Sequence, residues 1–184
     1  MQTKVITIYS VEELEGSAKE NALEWLAQGL NDYDWYDSVF EDAQKCASIL
    51  GLEIDNIYFD FDNGACFNGS FSYAKGWKKA LKAYAPIDTE LLRIGQELQG
   101  IQKPFLYSLS GTIDCNDRHK TTKAVFHWSD NNMPEDDLSQ AFTDFASWIY
   151  NQLQTEYDWI TSEKGLIENA QANGYQFDEF GRIA

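Results

Sequence analysis

Residues 57–73 alternate between apolar and polar side chains on both sides of a turn, and this constrains the fold more than any other feature of the chain. Ile57, Phe59 and Phe61 interleave with Tyr58, Asp60 and Asp62. After Asp62-Asn63-Gly64, Phe67, Gly69, Phe71 and Tyr73 interleave with Asn68, Ser70 and Ser72. A period of two puts every second side chain on one face of a strand. Asn-Gly tolerates the positive φ of a tight hairpin turn. A hairpin with one apolar and one polar face belongs in an antiparallel sheet covered on one side. A second pair is predicted at Phe105–Ile113 and Thr121–Trp128, joined by the polar loop 114–120, and Lys4–Tyr9 reads as a first strand.

Elsewhere the spacing is that of helices. Ser17-Ala-Lys-Glu20 has the capping-box pattern. Ala22, Leu23, Leu26 and Ala27 would line the inner side of a helix stopped by Gly29. Trp35, Tyr36, Val39, Phe40, Ala43, Ala47 and Leu50 define a second helix, ended by Gly51, with Asp37, Glu41 and Lys45 four apart along its outer side. Two more helices, at about 75–84 and 88–101, flank Pro86. From Pro134 a helical run extends to about Ala172, broken near Tyr157, and Tyr175–Ile183 reads as a small terminal hairpin. Strands and helices mix without a regular βαβ alternation. The class is therefore α+β, an antiparallel sheet of about four to five strands with helices packed on one face. With 184 residues and no repeat or linker, residues 1–184 are expected to form a single globular domain.

The charge is lopsided: 30 Asp and Glu stand against 14 Lys and Arg, a net charge of −16. Residues 1–74 hold 14 acids and 3 bases (net −11), residues 75–123 hold 5 acids and 9 bases (net +4), and residues 124–184 hold 11 acids and 2 bases (net −9). Such a surplus repels nucleic acid and anionic membranes and attracts basic protein surfaces. Direct nucleic-acid binding and membrane association are not expected, whereas pairing of acidic and basic segments in a homo-oligomer is compatible with the pattern. Cys46, Cys66 and Cys115 are odd in number and widely spaced, with no C-x-x-C. That argues against zinc and against a disulfide framework, and it suits a reducing cytoplasm. No stretch approaches the roughly 20 apolar residues of a membrane span, and the N-terminus lacks the pattern of a signal peptide.

Several stretches carry a resemblance. They are Tyr33-Asp-Trp-Tyr-Asp37, Glu41-Asp-Ala43, Gly51-Leu-Glu-Ile-Asp-Asn-Ile-Tyr-Phe59 and Gly64-Ala-Cys-Phe-Asn-Gly-Ser70, then Lys82-Ala-Tyr-Ala-Pro86, Trp148-Ile-Tyr150 and Ala172 to Ile183. Together they resemble a family of uncharacterised small acidic proteins of phages and prophages, some of them labelled antitoxins of toxin–antitoxin systems. Members of that family have a longer glycine-containing loop after Tyr-Phe, where this chain runs from Asp60-Phe-Asp62 directly into Asn63-Gly64. The resemblance implies a phage origin and an accessory role, and it supplies no active site.

The acidic residues carry a reading of their own. Asp32, Asp34, Asp37, Glu41, Asp42, Glu53, Asp55, Asp60 and Asp62 are nine acids within 31 positions. Carboxylates held on a rigid scaffold can imitate the phosphates of duplex DNA, which present one charge per about 1.7 Å of axis. The plainer reading of the same residues is a solvated acidic surface. Lys75, Lys78, Lys79 and Lys82 form a basic stripe at helical spacing. In a chain so acidic, this is the outer side of an amphipathic helix before it is a phosphate site. Asp60-Phe-Asp62-Asn-Gly64 does not match a calcium loop, whose glycine stands at position six and whose glutamate stands at position twelve. His119 and His127 lack the glycine-flanked serine or other nucleophile that a triad requires. No catalytic residue, metal or cofactor is assigned. The expectation is a non-enzymatic phage inhibitor in the host cytoplasm. It would bind a basic host protein or nucleoprotein complex, such as a CRISPR effector or another defence nuclease, through Asp32, Asp34, Asp37, Glu41, Asp42, Asp55, Asp60 and Asp62. The alternative is an antitoxin that neutralises a cognate toxin by stoichiometric capture.

Overall fold

A computed structural model describes residues 7–30, 34–126 and 133–184. The chain packs as two compact units, a sheet unit of Asp37–Gln154 and an end unit of Met1–Tyr36 with Thr155–Ala184. No linker composition marks the boundaries, because one of them falls inside a continuous helix.

In the sheet unit, α2 (Asp37–Leu50) leads into β1 (Leu52–Asp60) and β2 (Gly64–Phe71). Then come α3 (Trp77–Tyr84), α4 (Thr89–Gln102), β3 (Gly111–Asn116), β4 (Thr121–Val125) and the first part of α5 (Glu135–Thr161). The four strands form one antiparallel sheet in the order β1-β2-β3-β4. Opposed pairs such as Leu52↔Phe71, Ile57↔Phe67, Phe71↔Gly111 and Ile113↔Ala124 share one face. Between Ile54 and Asn56 the register shifts, so Asp55 is the extra residue of a bulge. The bulge brings Leu52 and Ile54 to the same face as Ile57 and Phe59, although their parity in the sequence differs.

That face carries the core. Phe67 meets Phe142 and Phe145 of α5 edge to face, at ring-centroid distances of 6.5 and 5.7 Å, and Phe71 lies 5.2 Å from Phe142. All four phenylalanines of this cluster on β2 and α5 are buried. Phe40 brings α2 against Phe59. Gly95 lets Trp77 of α3 lie on α4, since a Cβ there would come within 2.3 Å of the indole. The fold is thus α+β, with a four-stranded antiparallel sheet and helices on one face, as the alternation in 57–73 implied.

The stretch before β3 differs from expectation. Phe105 to Ser110 is not strand: Lys103–Phe105 is a 3-10 turn, and Leu106 and Tyr107 adopt φ of 53° and 61°. A left-handed residue interrupts an extended chain however well its side chains alternate. The segment is held by Gln102, which is buried. Its amide donates to the Leu109 carbonyl at 2.9 Å and accepts from the Leu109 N–H at 3.1 Å, as a neighbouring strand would.

In the end unit, α1 (Gly16–Gly29) and α6 (Glu163–Asn173) enclose Val11, Leu14, Ala22, Leu26, Leu166, Ala170 and Phe177. Phe177 bridges both Tyr9 and Ile183, so the terminal hairpin exists. The strand expected at Lys4–Tyr9 lies partly outside the described residues, as do His127 and Trp128. The capping box expected at Ser17–Glu20 is not the one used: the Glu13 carboxylate instead accepts from the Ser10 N–H at 2.8 Å and from its hydroxyl. The long helical run breaks at Ser162 rather than near Tyr157. There the hydroxyl caps α6 by accepting from the Gly165 N–H at 3.0 Å. Gly165 is required because a Cβ would approach the Trp159 carbonyl to 2.1 Å.

Candidate functional site

The acidic residues singled out in the sequence fall into separate groups. On α2, Asp37 lies in the first turn, where the helix dipole favours an anion. Asp37 and Glu41 are exposed and make no side-chain hydrogen bond or ion pair among the described residues. Asp42 is engaged: its carboxylate accepts from the Tyr84 hydroxyl of α3 at 2.6 Å, and this bond pushes the Tyr84 phenol up to about 12. The inner side of α2 is buried through Ala43, Cys46, Ala47 and Leu50, which turns the acids outward.

Phe40 rests on the apolar side of the sheet, but Glu53 faces Ser70 on the other side. Asp55 projects from the bulge. This second side is solvated and polar. Glu53, Asn56 and Tyr58 on β1, Ser70 on β2, Asp114 on β3 and Thr121 and Lys123 on β4 are exposed, and Lys123 opposes Asp114.

Asp60 and Asp62 do not project side by side from a strand. β1 ends at Asp60, and the turn is Phe61-Asp62-Asn63, one residue longer than a two-residue Asn-Gly hairpin. Asp60 builds that turn. Its carboxylate accepts from the Asp62 N–H at 2.7 Å and from the Asn63 amide at 3.2 Å, while Gly64 takes φ of 98°. The backbone donor holds the Asp60 carboxyl below its ordinary value, with Asn63 and Lys120 acting in the same direction. Asp62 remains exposed in the turn. In the end unit, Asp34 accepts from the Tyr36 hydroxyl at 2.9 Å. Asp32 lies outside the described residues.

The basic stripe faces outward, as expected. Lys78, Lys79 and Lys82 of α3 and the preceding Lys75 are exposed, and Trp77 and Leu81 are buried, but Ala80 and Tyr84 face solvent. His119 is exposed in the β3–β4 turn. Among the described residues, no three His, Cys, Asp or Glu side chains come together in a group that could hold a metal ion. The void inside the sheet unit, lined by Leu52, Phe71, Trp77, Gly95 and Phe142 among others, measures only about 20 Å³. That is room for one water at most. No described helix is long and apolar enough to cross a membrane.

The cysteines correct the sequence reading. Cys66 and Cys115 stand 49 positions apart, yet β2 and β3 are neighbours, and the two are joined in a disulfide with their Cα atoms 5.6 Å apart. Spacing along the chain carries no signal of this, because sheet order decides which strands touch. Cys46 is buried and free, and burial, aided by Asp42, pushes its thiol up to about 12.

The features described are those of an acidic α+β protein with a bare polar sheet face, outward carboxylates on α2 and a carboxylate-built hairpin turn. The chain belongs to a family defined as a domain of unknown function (DUF8835), whose model matches residues 35–163 and so takes in the whole sheet unit. No curated protein and no solved structure matches it.

Proposed function

We propose that the protein is a non-enzymatic, phage-encoded inhibitor that binds a basic host nucleoprotein complex of nucleic-acid-directed defence, a CRISPR effector or a related nuclease, in the host cytoplasm. The observation that carries this reading is the pair Asp37 and Glu41, two outward carboxylates one turn apart with no partner among the described residues. Unneutralised charge on a rigid helix costs self-repulsion within the fold, and a cationic groove would relieve it. The net charge of −16 adds long-range attraction to such a groove. The phage resemblance of the sequence supplies the setting. Asp60 serves the turn and Asp42 holds Tyr84, so these two act by positioning rather than as open contacts.

The test is inhibition of a purified, guide-loaded effector cleaving duplex DNA, titrated with the wild type and with the Asp37→Lys, Glu41→Lys variant. Inhibition is expected to saturate at a fixed stoichiometry and to weaken steeply with salt, because exposed charge is screened over about 8–10 Å. It is also expected to fall at least about tenfold in the variant, mainly through the on-rate. Circular dichroism checks that the variant folds. A folded variant that inhibits equally well would overturn the role of α2, and inhibition that grows with time at substoichiometric protein would overturn the non-enzymatic reading.

A further inference from the structure

We propose that Cys66 and Cys115 form a redox-reversible latch on the seam between β2 and β3. The seam has the shortest backbone ladder of the sheet. β1 and β2 pair at eight positions and β3 and β4 at five, but β2 and β3 pair only at Gly69↔Ile113, Ser70↔Thr112 and Phe71↔Gly111. Past Gly69 and Ile113, toward the β1–β2 turn, no backbone pairing joins the two strands. Cys66 and Cys115 lie in that unpaired stretch, and their bond spans it. A Cα separation of 5.6 Å suits a disulfide, and it leaves the two sulfurs adjacent when the bond is open.

A second observation points to the open state. Thr122 stands directly opposite Cys115 in the β3–β4 ladder and is buried, and its hydroxyl has no hydrogen-bond partner. Directly opposed side chains lie about 5 Å apart at Cβ. A Cys115 thiol is therefore within reach of that hydroxyl as both donor and acceptor, whereas a disulfide sulfur donates nothing. The bonded state closes the seam and leaves a buried hydroxyl unsatisfied; the dithiol state satisfies the hydroxyl and loosens the seam. Each state holds something the other lacks, which is what a reversible pair requires.

Access sets the direction of attack. Cys66 is fully buried and Cys115 only partly so. A small thiolate of the glutathione class attacks the Cys115 sulfur, the protein S–S bond breaks, and Cys66 leaves as a thiolate that takes up a proton. A second small thiolate attacks the small-molecule sulfur of the mixed disulfide. Cys115 is released and protonated, and the small thiol departs as its own disulfide. Two electrons and two protons have entered the protein, and the reverse sequence returns them. Cys46 is buried in α2 and stays outside the exchange.

The test uses the full chain equilibrated in glutathione buffers of graded poise, followed by acid quench, alkylation in denaturant and mass spectrometry. Oxidising buffers are expected to give one alkylated cysteine, Cys46, and reducing buffers three, through a single two-electron transition. Hydrogen exchange read on the same samples is expected to show the seam amides of residues 69–71 and 111–113 losing at least about tenfold in protection on reduction, with the end unit unchanged, as local opening of one cooperative element would. Cys46→Ser should keep the transition and Cys115→Ser should abolish it. If the double variant at 66 and 115 fails to fold, the reduced wild type supplies the same reading. Three alkylated cysteines at every poise, or identical seam protection in both states, would overturn the latch.

Discussion

The sheet unit and the end unit solve the same problem with different means. The sheet unit buries a stack of phenylalanines between one sheet face and α5, and it adds a covalent cross-link, an ion-pair hub and a side-chain clamp. Arg93 is the hub, reaching Glu90 and Glu97 on its own helix and Asp144 on α5. In the chain-entropy account, closing a 49-residue loop between Cys66 and Cys115 contributes about 4 kcal/mol. The end unit has a core of seven buried residues and no cross-link, and it gathers chain from both ends around Phe177. Trp25 stands edge to face against Tyr175 and Phe177, at 5.3 and 5.9 Å. The family match covers the sheet unit and reaches only Trp35, Tyr36 and residues 155–163 of the end unit. The lesson is that both units expose carboxylates, Asp37 and Glu41 in the sheet unit and Glu20, Glu24 and Asp158 in the end unit, but only the sheet unit carries a covalent cross-link.

The largest effects should come from the two central phenylalanines. Phe67→Ala removes a ring packed on Phe142 and Phe145 and is expected to cost about 3–5 kcal/mol in urea unfolding. Phe177→Ala should cost a comparable amount within the end unit but leave amide protection in β1–β4 intact. Loss of protection throughout the chain in the Phe177 variant would show one cooperative unit and break the comparison.

Gln102→Leu strands the Leu109 N–H and carbonyl in the interior, and an expected cost of about 2 kcal/mol should appear as lost protection around residues 107–111. An unchanged midpoint would show that water replaces the clamp. Ser162→Ala removes the cap of α6 and should cost about 1 kcal/mol, confined to the end unit and read by the exchange of Gly165.

The smallest effect sets the two carboxylate-built turns side by side. Asp60 in the sheet unit is held low chiefly by the Asp62 N–H, and Asp178 in the end unit chiefly by Arg182, whose guanidinium it pairs with. A lowered folded-state pKa means that the stabilisation is present above the ordinary value of 3.8 and is lost as the pH falls through the lower folded value. Asp60→Asn and Asp178→Asn should each flatten that acid limb for their own unit, followed by turn-amide exchange between pH 5 and about pH 2. Added salt should shrink the Asp178 effect more than the Asp60 effect, because the former rests chiefly on a charged partner and the latter chiefly on a backbone donor. Equal salt sensitivity would remove the distinction.

Much of this architecture is legible in the residues. Alternation at 57–73 specifies a hairpin and its buried face, because a one-residue slip would send every phenylalanine to solvent. The helical stripes in α1 and α2 name their own inner sides, and Gly51 marks a real stop, with φ of 87° and the Ser72 carbonyl pressed against its missing Cβ. The outward placement of Asp37 and Glu41 follows from the same stripe. Other features were out of reach. The bulge at Asp55, the left-handed Leu106 and Tyr107, and the conversion of Asp60 from an open acid into a turn-builder each depend on a neighbour distant in sequence or on backbone angles that residue type does not fix.

The sequence by itself determined the local periods, the side of each element that is buried, and the sign of the surface charge, because these follow from spacing and side-chain chemistry alone. Only the tertiary structure decided which strands are neighbours. Strand order brings Cys66 to Cys115, the packing of α3 beside α2 brings Tyr84 to Asp42, the left-handed turn at Leu106 and Tyr107 returns Leu109 to Gln102, and the described acids among residues 34–62 are sorted into separate groups in the same way.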